Sequence, residues 1–143
     1  MSLMRDVYNT LRTAKYFIDN EYLLKYAQII ERNAKTLIRG KQTHKHHILP
    51  KCWFKLTDNE INNDLNNLVN LPCREHFLAH YYLCLCTEDP FRYANELALQ
   101  CLLSNSKINI VDKQLLKNLP LYNNICEDLN NKLKENYKIY DKE

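Results

Sequence analysis

The centre of the chain reads His46-His47-Ile48-Leu49-Pro50, then Asn67-Leu68-Val69-Asn70-Leu71, then Arg74-Glu75-His76-Phe77-Leu78-Ala79-His80. Four of the five histidines in the 143 residues lie in the first and third of these runs. Adjacent histidines direct their imidazoles differently, whereas a His-x-x-x-His pair on a helix directs both toward the same side. The pattern therefore predicts three nitrogens for one metal ion and one further imidazole that is free to act as a base.

The segments on either side of these runs show helical spacing of apolar residues. This spacing predicts helices at 4–18 and 21–38, with Asp19 and Asn20 ending the first and capping the second. Gly40 is the only glycine, and it follows the second pattern where a left-handed residue commonly ends a helix. The same spacing predicts three later helices, at 90–103, 111–118 and 121–139. Such faces typically bury a core, so we expect the outer helices to serve as scaffold or as a partner surface.

Charge and cysteine usage narrow the class of protein. The formal net charge is only +3, which does not fit a polybasic nucleic-acid coat protein, yet the segment from Arg39 to Lys55 carries five basic side chains and no acidic one. Beside the histidines this favours a phosphodiester substrate, with DNA as the partner. No apolar stretch is long enough for a membrane span. Six irregularly spaced cysteines and no secretory signal predict reduced thiols and a cytoplasmic location.

Taken together, the order of the three runs resembles the HNH endonuclease family, the ββα-metal nucleases. The likeness is strongest to phage and bacterial members that read His-His-Ile-x-Pro, Asn-Leu-Val-x-Leu and Arg-Glu-His-Phe-x-Ala-His. The nine-residue step from Asn67 to His76 is also found in bacteriocin-type members. The resemblance covers residues 43 to 86, about a third of the chain. Three separated motifs in the right order make it more specific than any one of them alone.

The resemblance implies a mostly α fold with a small β-hairpin, in which a ββα-metal unit is flanked by N- and C-terminal helices. Within the unit we expect a strand at 44–49, a loop at 50–64, a strand at 67–71 and a helix at 73–86. Pro72 suits the first turn of that helix. We treat 1–143 as a single domain, made of N-terminal helices (1–42), the HNH core (43–86) and a C-terminal helical extension (87–143).

The resemblance also implies a metal site. His46, His76 and His80 are the expected ligands of one divalent ion, with open positions left for water and a phosphate oxygen. Three imidazoles favour zinc or nickel, and magnesium or manganese is the alternative, since some relatives use Asp or Asn in place of histidine ligands. His47 is the expected general base, since an imidazole titrates near neutral pH. For Asn67 we favour a catalytic-site role in pinning the loop behind the hairpin, and metal ligation is the alternative.

The remaining candidates are less specific. Lys45, Lys51 and Arg74 are the nearest basic residues for holding the phosphates that flank the cleaved bond. Arg74 has an equal claim to pairing with Glu75 or covering the start of the helix. We expect His44 to be an ordinary surface or core histidine.

The function predicted from the sequence is a metal-dependent HNH endonuclease that hydrolyses DNA by a one-metal mechanism. The alternative is a non-catalytic metal-binding protein of the same fold, a phage-derived regulator or inhibitor that binds DNA or protein. A zinc protease is disfavoured because Phe77 stands where His-Glu-x-x-His carries its glutamate. No recognition module is evident, so we expect a homodimer or a larger assembly to supply target specificity.

Overall fold

The computed structural model describes residues 3–34, 43–104 and 110–141. Two helices come first, α1 (Leu3–Leu11) and α2 (Glu21–Ala34). A central unit follows, made of β1 (Thr43–His47), α3 (Lys51–Leu56), a short 3-10 helix (Leu65–Asn67), β2 (Leu68–Pro72) and α4 (Cys73–Leu85). The last three helices are α5 (Phe91–Leu103), α6 (Ile110–Lys117) and α7 (Tyr122–Asp141). The expected fold, mostly helical with one small antiparallel hairpin and flanking helices, is confirmed.

The hairpin has one face toward the protein and one toward solvent. β1 and β2 pair antiparallel, with His46 opposite Val69 and His44 opposite Leu71. Val69 and Leu71 are buried. Because side chains alternate along a strand, His44 and His46 share this inner face. Lys45 is exposed on the outer face.

Helix α4 lies between two hydrophobic cores. On one side Ala79 and Leu83 join the N-terminal core, which α1, α2 and the hairpin complete. On another side Phe77 and Tyr81 join the C-terminal core with residues of α5, α6 and α7. Since α4 is apolar toward both cores, its position in the protein is fixed from two directions. Its contact with β1 brings the helix beside the hairpin.

Helix α2 and the three later helices begin close to their predicted positions, and Asn20 is the expected cap of α2. Its side-chain oxygen accepts hydrogen bonds from the backbone N–H groups of Tyr22 and Leu23, at 3.0 and 3.2 Å. The last residues predicted for this helix, together with Gly40, lie outside the described residues. Pro72 is the residue before α4 and not its first helical residue, because it ends β2 by pairing with Thr43.

Two of the predicted boundaries were wrong. Helix α1 ends at Leu11 and does not continue to residue 18. Tyr16 has a left-handed backbone with φ of 72°, and Phe17 forms an isolated β-bridge with Thr87, so this segment is tied to the end of α4. The predicted loop at 50–64 contains α3, a helix that buries Phe54. Pro50 precedes it with φ of −61°, a suitable entry, but six residues show too little periodicity to be recognised.

No helix within the described part of the chain has the length and the apolar character that a bilayer crossing requires.

A charged cluster joins α5 to α7. Lys132 lies 2.6 Å from Glu96, 2.7 Å from Asp89 and 2.8 Å from Asp128. Arg92 contacts Asp128 at 3.1 Å and Glu96 at 3.5 Å. Three carboxyl groups therefore share two cations, and the Glu96 side chain is fully shielded from solvent. Burial raises the pKa of Glu96 to about 7, because its charged form is poorly solvated there.

Replacing Lys132 with methionine should destabilise the protein by about 3 kcal/mol at pH 8, because a buried carboxylate loses the nearer of its two cations. Folded Glu96 takes up a proton below about pH 7, whereas an unperturbed glutamate does so near 4.5. The loss should therefore be smaller at pH 5, where Glu96 is neutral. Urea unfolding at both pH values measures this. Lys134→Met on the exposed side of α7 is the matched control, and an equal loss at the two pH values would contradict the account.

Candidate metal centre

Three histidines converge where the hairpin meets α4. The ring of His46, on β1, lies 5.2 Å from that of His76 and 5.1 Å from that of His80 between centroids, and the two α4 rings are 4.9 Å apart. One nitrogen from each ring can be chosen so that all three lie within 4.8 Å of one another. Around a tetrahedral zinc ion such nitrogens are separated by about 3.3 Å, so the three would have to move closer together to bind one ion.

The three imidazoles are kept uncharged by their surroundings. Burial lowers the pKa of His46 well below 6.5, and the neighbouring His80 and His76 lower it further. Burial, followed by the nearby His44, lowers the pKa of His76 to about 4. The pKa of His80 falls to about 3 through burial and then through His76. A metal ion binds the neutral ring, so these are the protonation states that coordination requires.

An unsatisfied nitrogen supports the same interpretation. The Nδ1 atom of His80 is shielded from solvent and has no hydrogen-bond partner in the described part of the chain. A buried polar atom of this kind costs free energy unless something binds it. A metal ion among the three rings would do so. The residues present therefore fit a divalent metal ion, although they do not identify which one.

His44 joins this cluster through a hydrogen bond to one of its members. Its Nδ1 atom lies 2.9 Å from Nδ1 of His76, and the two ring centroids are 5.1 Å apart. One of these two nitrogens donates and the other accepts. When His76 is the donor, its Nε2 atom keeps a free lone pair for a metal ion. The sequence interpretation gave His44 no part in the site.

His47 lies on the outer face of β1, where its ring is partly exposed. Its Nε2 atom is 2.9 Å from the side-chain oxygen of Asn63. Because that oxygen can only accept, Nε2 donates to it, and the proton of the neutral ring is thereby placed on Nε2. The Nδ1 atom of His47 then carries the free lone pair.

Asn67 ties the two ends of the loop between the strands together. Its side-chain oxygen accepts a hydrogen bond from the N–H of Leu49 at 2.8 Å. Its amide nitrogen donates to the carbonyl oxygens of Leu49 at 3.2 Å and Asn62 at 2.8 Å. These bonds account for the oxygen and both hydrogens of the side-chain amide, in a residue that is 7% exposed. The contacts are those of a pinning residue, and they engage the side-chain oxygen of Asn67 with the backbone.

The three basic candidates are all exposed to solvent. Lys45 lies on the outer face of the hairpin, Lys51 begins α3 and Arg74 is in the first turn of α4. Glu75, which the sequence offered as a partner for Arg74, forms an ion pair with Arg32 of α2 at 2.8 Å.

Two residues that contact the metal-ligand candidates were missed from the sequence. For His44 a signal existed, because strand alternation places it on the same face as His46. For Tyr26 of α2 the sequence carried only a weak signal. Its helical spacing indicates burial, and a buried phenol needs a hydrogen-bond partner, but nothing in the sequence says that the partner is His46. The Tyr26 hydroxyl lies 2.7 Å from His46 Nε2.

Comparison with known proteins gives one partial similarity. A 41-residue stretch, 29% of this chain, is 49% identical to the protein described as probable mobile endonuclease D of Enterobacteria phage T4. The stretch spans only 14% of that phage protein. No protein-family model and no solved structure matches the chain. The chain thus shares a short segment with a phage endonuclease and has a histidine cluster, while the HNH assignment stays a prediction.

Replacing Asn67 with alanine should destabilise the protein by about 2–3 kcal/mol. The change leaves one backbone N–H and two carbonyl oxygens without their partner in a largely buried setting. Chemical unfolding followed by circular dichroism measures the effect. Asn66→Ala, at an exposed neighbouring position, is the control and should change stability by less than about 0.5 kcal/mol. Equal stabilities of the two variants would show that the loop does not depend on Asn67.

Proposed function

We propose that this chain is a metal-dependent endonuclease of the HNH type that hydrolyses phosphodiester bonds in DNA. The observation that carries the proposal is the cluster of His46, His76 and His80, three neutral imidazoles with their candidate ligand atoms within 4.8 Å of one another. The partial similarity to a phage mobile endonuclease supports the nuclease class and suggests a setting in a phage or mobile element.

In this proposal His46, His76 and His80 hold one divalent ion, with zinc or nickel preferred by three imidazole ligands. When bound, the ion supplies Lewis-acid chemistry at the scissile phosphate and at the departing 3′ oxygen. Three protein ligands leave a position open, as catalytic sites require and structural zinc sites do not. The buried Nδ1 of His80, which has no hydrogen-bond partner among the described residues, supports coordination at this point.

His47 acts as the general base. Its Nδ1 atom accepts a proton from the attacking water as the new bond between oxygen and phosphorus forms and the bond to the 3′ oxygen breaks. Two features support this role. The ring is on the outer face of β1 where a substrate can reach it, and the hydrogen bond to Asn63 leaves Nδ1 as the basic atom.

Substrate binding is assigned to the exposed basic residues around this face. Lys45 shares the outer face of the hairpin with His47, Lys51 begins α3 and Arg74 is in the first turn of α4. Exposed cations of this kind bind the DNA backbone without reading its sequence. A second copy of the chain or a larger assembly then provides the target specificity.

Metal titration tests the ligand set. Chelator-treated protein should bind one equivalent of zinc or nickel, measured by calorimetry. His80→Ala should weaken binding by roughly 100-fold or more, because each ligand supplies a large share of the binding free energy. His47→Ala is the matched histidine control and should change the affinity little. Equal affinity of the His80→Ala variant and the unaltered protein would reject His80 as a ligand.

Cleavage of supercoiled plasmid tests the reaction. With magnesium, manganese, nickel or zinc added separately, at least one ion should support cleavage, and a chelator should abolish it. His47→Ala should lower the rate by about 10²–10⁴-fold while it keeps its metal, as expected when a general base is removed.

Plasmid that stays intact with every ion, in the presence of folded and metal-loaded protein, would reject the nuclease. The result would favour a metal-bound protein of the same fold that regulates or inhibits another. Cleavage by the His47→Ala variant at an undiminished rate would retain the nuclease and reject His47 as its base.

A further inference from the structure

Tyr26 of α2 reaches the histidine cluster by a hydrogen bond. It is fully buried. Its hydroxyl oxygen lies 2.7 Å from Nε2 of His46 and 2.6 Å from the carbonyl oxygen of Ile48. The aromatic ring also meets the His46 imidazole edge-on, with 5.9 Å between centroids.

The hydrogen atoms in these two contacts can be assigned from elementary chemistry. A backbone carbonyl oxygen only accepts, so the single hydroxyl hydrogen of Tyr26 is donated to Ile48. The hydroxyl oxygen can then only accept from His46, which places the ring proton of His46 on Nε2. The Nδ1 atom of His46 keeps the free lone pair.

This assignment decides whether His46 can bind a metal ion. Nε2 is already engaged by Tyr26, so Nδ1 is the atom left to coordinate. With the proton on Nδ1 instead, His46 would offer no lone pair to the cluster. Partners of the second ring nitrogen generally have this effect on metal-binding histidines, since they fix both the tautomer and the ring orientation.

We propose that Tyr26 is a positioning residue of the metal centre, which holds His46 as the Nε2–H tautomer with Nδ1 directed to the ion. This inference rests on the metal site proposed above and adds to it. It makes α2, which the sequence assigned to the N-terminal helices outside the ββα unit, a structural part of the site. The hairpin and α2 are therefore both needed for His46 to be a ligand.

Two measurements on the full chain test this role. The first is the tautomer of His46, read from long-range ¹H–¹⁵N spectra of the metal-free protein. The unaltered protein should show Nε2–H only, and Tyr26→Phe should show a mixture or the other form. The second is zinc affinity, which should fall by about 10–100-fold in Tyr26→Phe.

Tyr81→Phe is the matched control. Tyr81 is also buried, and its hydroxyl accepts a hydrogen bond from the N–H of Leu121 at 3.2 Å, in the C-terminal core. Tyr81→Phe removes the same hydroxyl group as Tyr26→Phe. It should change zinc affinity by less than about 3-fold, because this hydroxyl does not hold a metal-binding histidine.

The outcomes separate this inference from the proposed function. Zinc binding that is equal in Tyr26→Phe and the unaltered protein would overturn the role of Tyr26 and leave the metal site standing. An Nδ1–H tautomer of His46 in the unaltered protein would also overturn it, and that measurement needs no substitution. Absence of any metal binding by the unaltered protein would overturn both.

Discussion

The packing of the hairpin against α4 is the contact on which the rest of the site depends. Neither element could form the histidine cluster alone, since β1 supplies His46 and α4 supplies His76 and His80. Strand alternation turns His46 inward, and the four-residue step along α4 places its two histidines on one side. Apolar residues hold both elements in place, with Val69 and Leu71 on the hairpin and Ala79 and Leu83 on the helix in one core. A polar cluster is thus positioned by the burial of its apolar neighbours.

In the absence of an ion, burying the polar ring nitrogens of the cluster costs free energy. This cost explains the hydrogen bonds that surround the cluster. Burial keeps the rings neutral, but each neutral imidazole still has one donor and one acceptor to satisfy. Tyr26 satisfies Nε2 of His46, and His44 contacts Nδ1 of His76. Within the described residues, Nδ1 of His80 is a buried nitrogen without a hydrogen-bond partner. Hydrogen bonds within the protein therefore satisfy part of the cluster, and a bound ion would satisfy the remaining lone pairs.

Much of the fold could be predicted from the sequence because its signals are local. Helical spacing located α5, α6 and α7, and the resemblance carried by the three motifs located β1, β2 and α4. The predictions that failed depended on contacts between distant residues. One example is the early end of α1, after which Phe17 forms an isolated β-bridge with Thr87. In the site, the motifs indicated which histidines to consider. They could not indicate Tyr26 or the role of Asn63, because those hydrogen bonds join segments whose approach only the folded chain determines.

The central claim is that His46, His76 and His80 together coordinate one metal ion and leave a position open. X-ray absorption spectroscopy of the zinc-loaded protein tests it most directly, since it reports the atoms bound to the ion. The account predicts three imidazole nitrogens at about 2.0–2.1 Å and one or two oxygen atoms from water. A spectrum that contains sulfur from any of the six cysteines, or that lacks the multiple scattering of three imidazole rings, would contradict it.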